Sequence, residues 1–164
     1  MSSLTPFMRP ALRALATASV LGLTALPAAA ETEVLTFDDL DVFEELLSGF
    51  GSVEADTDGE DDPMFRGRIS GTPYALYFYG CDNHKDCNNG TFVAYFDGDD
   101  YSTDPAVIND YNNSYRFGKA SIDRDGDLEI NYSFTFKGGI TRVGLDDTFD
   151  WWRVILDEAE EHFE

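Results

Sequence analysis

The sequence predicts an α+β fold around an antiparallel sheet of about five strands, and three features carry that expectation. Residues 128–136 alternate strictly, with Leu128, Ile130, Tyr132, Phe134 and Phe136 apolar against Glu129, Asn131, Ser133 and Thr135, which is the period-two pattern of a half-buried strand. Three further strand signals, 64–69, 74–79 and 91–96, follow each other too closely for crossover connections, so they should form an antiparallel meander. Apolar residues at helical spacing then bracket the strands at both ends of the chain. The order expected is α-β-β-β-α-β-β-α.

Each element has a local reason. Thr36-Phe37-Asp38-Asp39 reads as a capping box for a first helix that carries Leu40, Phe43, Leu46 and Leu47 on one face and stops near Gly49 and Gly51. A short strand around Val53 and an acidic turn, 56–62, come next. In the 74–79 strand, Tyr74, Leu76 and Phe78 share one face while Ala75, Tyr77 and Tyr79 share the other. The 91–96 strand divides in the same way, so both strands should be central or have one face covered from outside the chain. Thr103-Asp104-Pro105 opens a helix of about ten residues, with an N-cap candidate and a proline whose missing amide costs nothing there. Strands 116–122 and 128–136 should form a hairpin across Asp125-Gly126. Gly138-Gly139 ends the second of them. Thr141 then caps a last helix bearing Val143, Leu145, Phe149, Trp152, Leu156 and Ala159 on one face. Trp151, Ile155 and Phe163 widen that face beyond one stripe, so Trp151, Trp152, Ile155 and Phe163 are candidate contacts with a deep groove of the same chain or with a second subunit.

Residues 1–30 have the parts of a secretory signal: Arg9 and Arg13, an apolar stretch over 14–26, and a small-residue site at Ala28-Ala29-Ala30. The expected mature domain is 31–164, periplasmic or secreted. Losing two arginines and no acid takes the formal net charge from −21 to −23, which disfavours nucleic acid and anionic membrane surfaces as partners. Cys81 and Cys87 are the only cysteines. An even pair in an exported chain is expected as a disulfide, here clipping a polar loop. A zinc site using His84 between them would lack a good fourth ligand.

Catalytic signatures are sparse. Asp123-Arg124-Asp125-Gly126-Asp127 resembles the start of a calcium loop, but its glycine is misplaced and Phe134 stands where a bidentate Glu is required. Only two histidines exist, His84 and His162, and neither lies in a nucleophile motif. No phosphate loop or dinucleotide fingerprint occurs, so no cofactor, no metal and no catalytic residue is expected. Sequons at Asn89, Asn112 and Asn131 would matter only in a glycosylating pathway.

The block INDYNNSYRFGKASIDRDGDLEINYSF, with the following KGGI and the DWW helix, resembles the YbjN family of bacterial sensory transduction regulators. YGCDNHKDC before TFVAYF is similar to the cysteine loop of exported members. Tyr111 stands where the family often has tryptophan. The resemblance implies a fold like that of type III secretion chaperones, with helices packed on one side of the sheet and frequent dimers, and it brings no catalytic residues. The function expected is therefore a periplasmic, non-enzymatic binding or regulatory module for a protein or peptide, with Tyr77, Tyr79, Val93 and Tyr95 as the candidate surface and a homodimer as a further possibility. A carboxylate-dependent hydrolase is the alternative from another class.

Overall fold

The computed structural model describes residues 33–164; the signal segment expected over 1–30 lies outside them. A two-residue strand, β1 (Val34–Leu35), leads through a single 3-10 turn into α1 (Leu40–Ser48). The capping box is present: Thr36 N–H donates to Asp39 Oδ2 at 2.7 Å, and the Thr36 hydroxyl accepts in return. It closes the 3-10 turn directly ahead of α1, and α1 then buries Phe43 and Leu47.

Six strands form the main sheet, in the order β2-β3-β4-β5-β7-β6, with every neighbour antiparallel. They are β2 (Gly51–Thr57), β3 (Pro63–Ile69), β4 (Thr72–Tyr79), β5 (Asn89–Phe96), β6 (Lys119–Ile122) and β7 (Leu128–Thr135). As expected, β4 and β5 are central. The expected count of about five strands, and the order that began α-β-β-β-α, fall short by β2 and by a small ribbon in which β1 pairs with β8 (Ile140–Thr141). The cause is physical: β2 is exposed along nearly its whole length, so it carries no apolar alternation, and its polar side chains suit a rim strand that must not recruit another chain.

The 123–127 connection also differs from a two-residue turn. It is a five-residue loop in which one oxygen of Asp123 accepts the backbone N–H groups of Asp125, Gly126 and Asp127 at 2.9, 2.9 and 3.0 Å. Gly126 alone takes the left-handed conformation, with φ +98°. The preceding strand starts at Lys119 rather than residue 116, because Gly118 turns the chain at φ +77° beside Ile155 and the Tyr111 hydroxyl.

Helix α2 (Pro105–Ser114) is capped by Asp104, whose carboxylate accepts Ala106 N–H at 2.8 Å. Its Asn112 amide does what a neighbouring strand would do, accepting Ala120 N–H at 2.9 Å and donating to Ala120 O at 3.1 Å along the rim of β6. Helix α3 (Arg142–Phe163), capped by Thr141, buries Leu145, Thr148, Phe149, Trp152, Ile155, Leu156, Ala159 and Phe163. Val143, expected on that face, is 56% exposed while Leu145 in the same turn is buried, because nine residues at about 100° each place Val143 on the side of the helix opposite Trp152.

The core is aromatic and lies between the helices and one face of the sheet. Phe92, on central β5, stacks on Trp152 at 5.1 Å and on Phe134 at 5.9 Å, and meets Phe149 edge-on at 5.6 Å. Phe43 meets Phe78, Phe136 and Phe149 in turn. Offset and edge-on pairs of this kind add to simple area burial. Phe92→Ala should therefore cost about 3–5 kcal/mol in chemical denaturation, the range for a buried Phe. The Tyr74 hydroxyl is buried without a hydrogen-bond partner in the chain, and burial pushes its pKa from 10 up to about 12. Folding favours the neutral phenol, so this contribution is complete below pH 10 and is lost as pH rises to about 12. Tyr74→Phe should be neutral or stabilising by up to about 1 kcal/mol, and should flatten the alkaline limb of a melting-temperature profile.

Candidate functional site

Because the helices cover one face, the other face of the sheet is built only from side chains that alternate with the core. Its central row crosses all six strands as Glu54, Arg66, Ala75, Val93, Asn131 and Lys119. A second row contains Asp56, Met64, Tyr77, Thr91 and Ser133, and on a third Arg68 pairs with Pro73 while Tyr95 pairs with Glu129. Tyr79 stands on this face beyond Tyr77, paired with Asn89.

All four residues of the candidate surface thus share the open face. Tyr79 and Tyr95 are 49% and 50% exposed, Tyr77 is half-buried, and Val93 is buried. Val93, Ala75 and Met64 are shielded from water yet stand apart from the helix-side core, so the face has an apolar floor of its own. A shallow depression of about 180 Å³ lies over it, bounded by Arg66, Pro73, Tyr77 and Tyr95. Partial burial, and then the neighbouring Glu129 carboxylate, push the Tyr95 phenol above its ordinary pKa; Tyr79 is raised first by burial and then by Tyr77 and Asp58. Both hydroxyls are held neutral and are able to donate. Arg66 pairs with Asp56 at 2.7 Å, and the Thr57 N–H together with that guanidinium holds the Asp56 carboxyl below its usual range. Arg68 donates to Gly71 O at 2.8 Å.

Cys81 and Cys87 are joined as a disulfide at the end of this face. The clipped loop places His84 Nδ1 2.8 Å from Asp62 Oδ1 of the acidic turn, so two long loops brace each other. Sequence reasoning picked out the aromatic members of the face but missed Glu54, Arg66, Arg68, Lys119 and Glu129. Their signal was the position of each between core residues, readable only once strand register is known.

The contacts expected of the last helix divide. Trp152, Ile155 and Phe163 are fully buried in the chain's own core: the wide apolar face fills a groove of the same molecule, which removes these three as contacts for a second subunit. Trp151 alone remains accessible, at 37%, and it rests on Phe117 at 4.7 Å.

Other chemistry finds little support. Among the described residues no group of three His, Cys, Asp or Glu stands where it would hold a metal ion, and Asp123, the first residue of the calcium-like stretch, is engaged by its own loop. A polar cleft of about 410 Å³ beside the disulfide is lined by Thr36, Asp38, Asp86, Asn88 and Lys137. The carboxyls displaced in opposite directions are Asp56, lowered, and Glu158, raised by burial. They stand on β2 and α3, and neither lines that cleft.

The fold is thus an α+β sheet covered by helices on one side, with tyrosine and arginine side chains on its open face. The profile of the YbjN family, described as "Putative bacterial sensory transduction regulator", matches residues 39–164. The chain belongs to that family. No curated protein matches it. In the untreated protein Cys81 and Cys87 should resist alkylation by mass measurement, and Cys81→Ser with Cys87→Ser should lower stability by about 2 kcal/mol, the low end for disulfides because the closed loop is short.

Proposed function

We propose that this YbjN-family protein is an exported, non-enzymatic regulator that recognises a polypeptide on the open face of its sheet. The observation that carries this reading is the pairing of half-exposed Tyr79 and Tyr95 with the apolar floor of Val93, Ala75 and Met64, uncovered by any helix of the chain. Aromatic and arginine side chains around a dry centre are the composition that protein interfaces favour. Tyrosine brings a large rigid area with a hydrogen-bonding tip at small entropic cost. The family's description as a regulator supports binding over turnover. The expected signal segment supports action outside the cytoplasm.

The test is a comparison of polypeptides retained by the immobilised protein and by its Tyr79→Ser/Tyr95→Ser variant. The variant should keep its melting temperature within a few degrees and retain less than about a tenth of the polypeptide, as expected when central aromatic contacts are removed. Equal retention by both forms would show that this face is not the binding surface.

A further inference from the structure

The open face is edged by carboxylates that no base of the chain neutralises. Asp58, just beyond β2, accepts the backbone N–H groups of Glu60 and Asp62 at 2.9 and 3.0 Å. Asp123 is held in the same way by its own loop. Glu129, on β7, accepts from the Asn131 side-chain amide at 3.0 Å. Among the described residues none of the three forms an ion pair. The bases of the face are engaged or lie at its rim: Arg66 holds Asp56, Arg68 donates to Gly71 O, and Lys119 stands on rim strand β6.

These unpaired charges gather at the tyrosines. Glu129 pairs with Tyr95 across β5 and β7. Burial is the first cause that raises the Tyr79 and Tyr95 phenols, and every acidic or basic neighbour that adds to it, Tyr77 apart, is a carboxylate. They are Asp58 and Glu129 at Tyr79, and Glu129 and Asp123 at Tyr95. An aromatic ring is itself negative on its face, so ring and carboxylate together make a seat for a cation.

The spacing of the two seats follows from strand register. Ala75 pairs with Val93 in antiparallel strands, so Tyr79 lies four residues from that pair in one direction and Tyr95 two residues in the other. Their backbone positions are thus about six residues, or about 20 Å, apart along the strands. The buried side chains of Ala75 and Val93 lie between them.

We infer that the occupant of the open face is a basic, extended polypeptide segment with arginine or lysine at two positions about six residues apart. This rests on the reading of that face as an interaction surface. In an extended segment residues i, i+2, i+4 and i+6 point to one side. The first and last then bring cations to Tyr79 beside Asp58 and to Tyr95 beside Glu129 and Asp123. The middle two meet the floor of Ala75 and Val93, where small or apolar side chains fit. The apolar stems of the basic residues cover the rest. The formal charge of −21 draws such a segment from a distance and repels an acidic one.

Selection from a random library of displayed peptides on the immobilised protein tests this, with fluorescence anisotropy on the recovered peptides. The recovered sequences should be rich in arginine and lysine, with two basic residues about six positions apart. Asp58→Asn with Glu129→Gln should weaken the recovered peptides about tenfold or more. These substitutions keep the oxygens that accept the local hydrogen bonds and remove only charge. Asp146→Asn with Glu161→Gln removes the same charge from helix α3 and should change affinity by less than about twofold. Circular dichroism melting checks that each variant is folded. Failure to recover any peptide overturns the inference, as does equal weakening by the two double variants, which would make the attraction one of overall charge. Recovered peptides without basic residues whose binding is lost in Tyr79→Ser/Tyr95→Ser overturn the basic segment and leave the proposed function standing. Basic peptides that bind that tyrosine variant as well as the parent overturn both.

Discussion

The stack of Trp152 on Phe92 is the contact on which the rest of this structure depends. It sets the last helix against the fourth of six strands, the middle of the sheet, and by doing so decides which face every other strand residue must bury. Phe149, one turn earlier, reaches both Phe92 and Phe43, so the first helix is drawn to the same side. With both terminal segments committed there, no segment remains among the described residues to cover the opposite face.

That imbalance is the origin of the open face. A sheet in water ordinarily puts polar side chains on an uncovered face. Here the outer positions of β4 and β5 include Ala75, Tyr77, Tyr79, Val93 and Tyr95 beside Thr91 and Asn89, and the charged residues are displaced to the flanking strands. The floor is kept dry by its taller neighbours, so the molecule tolerates the arrangement alone, yet it gains whenever another surface replaces the water above the tyrosines. The pattern of two central strands alone thus leaves an apolar floor and half-exposed tyrosines on the uncovered side.

Much of this was legible in the sequence, for reasons that can be traced residue by residue. Alternation in 128–135, the caps at Thr36, Asp104 and Thr141, and the division of 74–79 into two faces are local properties, and each stands as read. What was not legible depended on partners distant in the chain. Strand β2 showed only as a short strand around Val53 and stayed out of the expected order, because its other side chains are polar or small. The five-residue loop at 123–127 was hidden because Asp125-Gly126 suits a tight turn equally well, and only the triple acceptance by Asp123 shows otherwise. Ile155 and Phe163 looked surplus to one helical stripe, but the groove that receives them is made by elements up to a hundred residues earlier. That Glu54, Arg66, Arg68, Lys119 and Glu129 stand on the open face appears only after six strands are placed in register.

The two hydrogen bonds between the Asn112 side-chain amide and the Ala120 backbone have a consequence for how the sheet ends. A free strand edge is an invitation to lengthen the sheet by one more chain, and an acidic, highly charged molecule is only partly protected by its repulsion. By occupying both backbone groups of Ala120, the second residue of β6, a single side chain blocks the point at which a further strand would begin to pair. Growth by strand addition is thereby disfavoured at β6, and β2 is left as the more open rim of the sheet.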